Sequence, residues 1–119
     1  MENWIKKIIE FMRNAMNEGL FIDAYKNTSF EEEDSTLYNF DVEYKVNISF
    51  CVYDNSLRIT TEHGYIKVAY ELSKRDKLEL DALILSIEEY KEDIAISEFN
   101  SFFKKDETPT TIDNLDDDD

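Results

Sequence analysis

Few side chains in this sequence could do covalent or proton chemistry. His63 is the single histidine and Cys51 the single cysteine. A nucleophile and its histidine must sit within hydrogen-bond reach of each other. His63 belongs to Glu62-His63-Gly64, which reads as a turn, and Cys51 falls on the polar side of a strand some way along the chain. There is no glycine-rich phosphate loop and no paired Cys or Cys/His metal spacing. Carboxylate is what the chain has in quantity: 28 Asp and Glu against 13 Lys and Arg, a net charge of -15. The runs Glu31-Glu32-Glu33-Asp34 and Asp113 to Asp119 lack the alternating ligands and central glycine of a calcium loop. They suit a diffuse ion atmosphere better than a bound metal. No cofactor, no metal site and no enzyme activity is expected.

The spacing of the acids is more suggestive than their number. Glu88 and Glu92 are four apart, as are Glu89 and Asp93, with Lys91 the one base beside them. On a helix such pairs rise about 6 Å, and like charges at that spacing cost helix stability. Asp41 and Glu43 share the parity of one strand and would lie about 6.6 Å apart along it. Rows of negative charge at these intervals resemble those along a nucleic-acid strand, although any acid-rich helix displays the same spacing to solvent. Candidate partner-binding residues are therefore Glu31, Glu32, Glu33, Asp34, Asp41, Glu43, Glu88, Glu89, Glu92, Asp93, Asp116 and Asp117.

Charge is unevenly spread. Residues 1–30 carry four acids and four bases, and 31–54 carry seven acids and one base. Residues 55–78 have three acids and five bases, and 79–119 have fourteen acids and three bases. Such a chain is repelled by nucleic acid and anionic membrane, and its natural partner is a basic surface. Acidity also serves solubility by itself.

The elements that must position these groups follow from periodicity. Residues 3–18 predict a helix: Trp4, Ile5, Ile8, Ile9, Phe11, Met12, Ala15 and Met16 form an apolar stripe, and Gly19 suits its C-terminal cap. Leu20 to Asn27 predicts a short strand that is apolar on both sides, hence central or covered. From Tyr38 to Val52 every even position is apolar or aromatic and the odd ones are almost all polar, the pattern of a half-buried strand. A two-residue hairpin turn would switch the buried parity, which never switches, and the stretch holds no Gly, Pro or Asn-Gly. The expectation is one continuous, twisted strand over about 37–53, with one end projecting or paired by another chain. Asp54-Asn55-Ser56 and Glu62-His63-Gly64 read as turns, bounding strands over 57–61 and 65–72. Ser73-Lys74-Arg75-Asp76 has the form of a capping box. Leu80, Leu83, Ile84, Ile87, Tyr90 and Ile94 continue it as a helix, although 77–85 also alternates like a strand. Ala95, Phe99, Phe102 and Phe103 extend the apolar face, as one helix or as a second begun at Ser97.

The fold class expected is α+β: an N-terminal helix, a four-stranded mostly antiparallel sheet, and a C-terminal helix or helix pair on one sheet face. Residues 1–105 read as a single domain and 106–119 as a disordered acidic tail, which has too few apolar groups to offset its ordering entropy. The lone cysteine fits a reducing cytosol. Lys6, Lys7 and Glu10 interrupt the N-terminal apolar residues, so neither a leader nor a membrane span is expected and the location expected is cytoplasmic.

In size, charge and acidic tail the chain resembles the small acidic inhibitors that phages and mobile elements make against host nucleases or CRISPR effectors, some of which mimic DNA. No residue motif carries that resemblance, and no residue role is transferred from it. It implies a protein-binding inhibitor of a basic, nucleic-acid-handling host protein. The alternative is an acidic immunity protein or secretion-type chaperone, acting as a binding module through apolar faces. Strand pairing at a free sheet edge, and a homodimer through the N-terminal helix or the sheet, are further modes of association.

Overall fold

The computed structural model describes residues 3–28 and 36–106, and side chains as far as Phe103. The first helix, α1 (Trp4–Asn17), starts where the Asn3 side chain accepts from the Lys6 amide at 3.1 Å. It ends as expected at Gly19, whose φ of +76° suits glycine. There Leu20 N donates to Ala15 O and Gly19 N to Met16 O, the paired bonds of a Schellman cap.

Five strands follow: β1 (Ile22–Thr28), β2 (Thr36–Val42), β3 (Val46–Cys51), β4 (Ser56–Thr61) and β5 (Gly64–Ala69). They form one antiparallel sheet in the order β1-β2-β3-β4-β5, each strand pairing with its neighbour in sequence. The last element, α2 (Lys74–Asp106), opens on the capping box: Ser73 N donates to Asp76 Oδ2 and Asp76 N to Ser73 Oγ, both at 3.0 Å. The architecture is α+β, with five strands where four were expected. Residues 77–85 are helical, and α2 continues through Ser97 without a break.

The extra strand comes from the stretch expected to be continuous. Tyr38–Val52 is a hairpin, with β2 and β3 joined by Glu43, Tyr44 and Lys45. Val42 pairs with Val46, and the Lys45 amide closes the turn on Val42 O at 2.9 Å. A three-residue connection pairs positions four apart, so even residues still face even residues. The unbroken parity that argued against a two-residue turn is what a three-residue one preserves. Among the described residues the stretch therefore forms two short paired strands and not one long strand projecting past the sheet.

A second correction concerns β1, which is an edge strand and not a covered one. Ile22 and Ala24 are buried, but Phe21 and Tyr25, on the other parity, stand about half exposed.

The core lies on one side of the sheet. Ile22, Ala24, Tyr38, Phe40, Val42, Ile48, Phe50 and Leu57 are buried there with Ile5, Ile8, Met12 and Ala15 of α1 and Leu80, Leu83, Ile84 and Ile87 of α2. Asp81 of α2 pairs with Lys26 of β1 at 3.2 Å, which ties that helix to the edge strand. Contacts cluster into two units, 1–89 and 90–119, each described by itself below. The expected acidic tail lies outside the described residues except for Asp106, which ends α2.

Candidate partner-binding surfaces

The helix-free side of the sheet is polar at its centre. Cross-strand register sets Asn39 beside Ser49, and Asp41 between Asp23 and Asn47. The Asn47 amide donates to Asn39 Oδ1 and to Asp41 Oδ1, each at 3.0 Å, and Asn39 Nδ2 donates to Asp41 Oδ2 at 3.2 Å. Ser49 Oγ lies 3.0 Å from Asn39 Oδ1 and 3.1 Å from Asn47 Oδ1. Asn39 is only 7% exposed. Both Asp41 oxygens are thus held by amide donors, so this carboxylate is a fixed part of the surface. Asp23 lies directly across from it. Asp23 Oδ1 accepts from the Ala24 amide at 2.9 Å.

Next to this pair is the β2–β3 turn. Glu43 (φ 53°) and Tyr44 (φ 61°) are both left-handed, a conformation that costs an L-residue roughly 1–2 kcal/mol. The turn is tied back to the start of β1: Glu43 N donates to Phe21 O at 2.7 Å, and Phe21 N donates to the Glu43 carboxylate at 3.5 Å. Tyr44, at 82% exposed, stacks on Phe21 with ring centroids 5.2 Å apart. An exposed aromatic pair thus adjoins Glu43, with Asp23 and Asp41 one step along the same strands. Asp41 and Glu43 were expected as successive charges in one strand. Asp41 is in β2 and Glu43 is in the turn, held by the backbone of Phe21.

The acids of α2 divide between the two units. Glu88 and Glu89 are exposed in the first, and Glu92 and Asp93 are exposed in the second. Ion pairs join Lys26 to Asp81, Lys67 to Asp54 and Arg75 to Glu79. Glu31, Glu32, Glu33, Asp34, Asp116 and Asp117 lie outside the described residues.

Among the described residues no group of three or more His, Cys, Asp or Glu is placed to hold a metal ion. His63 sits in the β4–β5 turn, its amide bonded to Thr61 Oγ1. Cys51 ends β3 and is in no disulfide. Asp54 is held below the usual carboxylate range by the Ser56 hydroxyl, which donates to it at 2.6 Å, and then by the Cys51 thiol. A cleft of about 530 Å³ is lined by Asn3, Lys6, Glu10 and Arg13 of the α1 side and Arg75, Asp76 and Glu79 of α2. It is open and mixes both signs of charge. No helix among the described residues is long and apolar enough to cross a membrane.

Nothing in the sequence marks Asp23, Asn39, Asn47, Ser49, Phe21 or Tyr44 as members of a site. The polar odd positions of Tyr38–Val52 were visible, but which of them meet depends on the hairpin register. What the fold defines is an α+β protein with a five-stranded antiparallel meander and two helices. Compared with known protein families, curated proteins and solved structures, the chain matches none.

Proposed function

We propose that this chain is a small acidic binding protein that blocks a basic, nucleic-acid-handling partner, in the manner of the inhibitors that phages direct at host nucleases or CRISPR effectors. The observation that carries the reading is the display of its acids. Glu88, Glu89, Glu92 and Asp93 are exposed on α2 in a chain of net charge -15. Asp23 and Asp41, opposite each other in the register and close to Glu43 and the exposed Tyr44, support it as well. Carboxylates next to aromatic faces suit lysine and arginine, through ion pairs and cation–π contact. Placed in a basic cleft, such a surface competes with nucleic acid for the same cations.

The test is competition. A partner captured on the immobilised chain is challenged with salt and with duplex DNA. Release by both, and weaker capture by the E88Q/E89Q/E92Q/D93N variant, is the expected result. Capture indifferent to salt and DNA would end the mimicry idea. The Phe21–Tyr44 stack favours a second reading, an immunity protein or secretion-type chaperone that binds through apolar contact. Under that reading Tyr44→Ala abolishes capture while the four neutralising changes leave it intact.

A further inference from the structure

The apolar residues of α2 beyond Tyr90 form a set of their own. Ala95, Ile96, Phe99, Phe102 and Phe103 fall within about 120° of one another at the helical step of 100° per residue. Ile96 and the three phenylalanines are 56–66% exposed. Phe99 and Phe103 already stack, with centroids 6.2 Å apart and planes 15° from parallel. A lone helix of this length is marginal in water unless an apolar face is covered.

We infer that this face is covered by a second copy of the chain, in an antiparallel helix pair whose two-fold axis passes near Phe99. Three observations select a copy over another occupant. The first is charge. Residues 90–106 contain four acids and three bases, a net of -1 in a chain of -15. A second copy meets little repulsion here, and a strongly basic partner finds little attraction.

The second observation is size. A two-fold at Phe99 brings Ala95 level with Phe103 of the other copy, and Ile96 level with Phe102. The smallest residue of the face thus meets a large one, as interdigitating layers require. The third is area. At roughly 200 Å² per phenylalanine, three at 56–66% exposure carry about 370 Å² per copy, or about 740 Å² in the pair. Ile96, Ala95 and the flanking stems bring this toward the ~1,200 Å² at which specific interfaces begin.

Sedimentation of the full chain tests the inference. At roughly 100 µM, about a hundredfold above a micromolar dissociation constant, the wild type should sediment as a dimer. Phe99→Glu should be monomeric, and its far-UV circular dichroism should lose no more than the helical turns beyond Tyr90 that the pairing covers. Ala95→Trp separates a registered interface from general stickiness: it should also give a monomer, because the added ring has no room opposite Phe103. A monomeric wild type overturns the proposal. So does a dimer that survives Phe99→Glu, or one that Ala95→Trp tightens.

Discussion

Tyr38 shows how one side chain can belong to both the core and the electrostatics. Its ring is among the most buried in the molecule, yet the Lys26 ammonium lies 5.4 Å from the ring centroid and 3.2 Å from Asp81. Burial pushes the Tyr38 hydroxyl up, the Asp81 charge adds to that, and Lys26 opposes it. For Lys26, desolvation pulls down, but the Asp81 carboxylate and Tyr38 outweigh it and the pKa rises. Tyr70 is raised too, by burial and then by the charge of Asp76. All three groups keep their protons more tightly folded than unfolded. The stability they contribute is therefore complete below their ordinary values and lost as pH rises through the raised ones. Melting temperature should hold level from about pH 7 to pH 9 and fall beyond about pH 10, where tyrosine and lysine ordinarily titrate. Tyr38→Phe should shrink the alkaline fall without removing it, because Tyr70 and Lys26 remain. Melts from neutral to alkaline pH, wild type against variant, check this; an identical alkaline fall in both would rule out the role given to Tyr38.

At the level of elements, the β2–β3 turn combines strain with display. Glu43 and Tyr44 take left-handed dihedrals that asparagine and glycine tolerate far better. Glu43→Asn should stabilise the chain by about 0.5–1 kcal/mol, since it eases a cost of roughly 1–2 kcal/mol and gives up only one long, exposed hydrogen bond. Tyr44→Gly should come out near neutral, because the stack it removes is worth about 0.5–1.5 kcal/mol. Urea unfolding of the two variants measures both, and a destabilised Glu43→Asn would mean that the carboxylate holds the turn. The same turn marks the limit of what the sequence makes legible. Helix α1, its cap at Gly19, the Ser73/Asp76 box and the inward Tyr38, Phe40, Val42, Ile48 and Phe50 are readable, because each rests on neighbours close in sequence, whereas Tyr44 has the same parity and stands exposed in the turn. The hairpin is not, since Glu-Tyr-Lys carries no turn signature and a three-residue loop leaves the parity untouched. The edge position of β1 escapes for a related reason: Phe21 and Tyr25 look like core residues until the strand order leaves them uncovered. Asp41 was legible as an outward-facing acid. Its hold by Asn39 and Asn47 was not, because register is a property of paired strands and not of either one.

Over the whole molecule, two electrostatic effects oppose each other, and salt separates them. A net charge of -15 repels itself, which disfavours the compact state. Against this stand the ion pairs Lys26–Asp81, Lys67–Asp54 and Arg75–Glu79, all with side chains more than a third exposed. Exposed pairs of this kind contribute little, because water and salt screen them. Salt weakens both effects, since the screening length falls from about 10 Å at 0.1 M to about 3 Å at 1 M. The chain carries 28 acids against 13 bases, so relief of repulsion should win. Melting temperature should therefore climb steadily from about 10 mM to about 0.5 M sodium chloride, a range over which screening grows from weak to nearly complete. The E88Q/E89Q/E92Q/D93N variant supplies the control. Removing four of the acids takes the net charge from -15 to -11, so its melting temperature should start higher at low salt and climb less. A melting temperature that falls with salt would place the ion pairs above the repulsion. An equal climb in both proteins would show that salt acts through apolar burial rather than through the acids of α2.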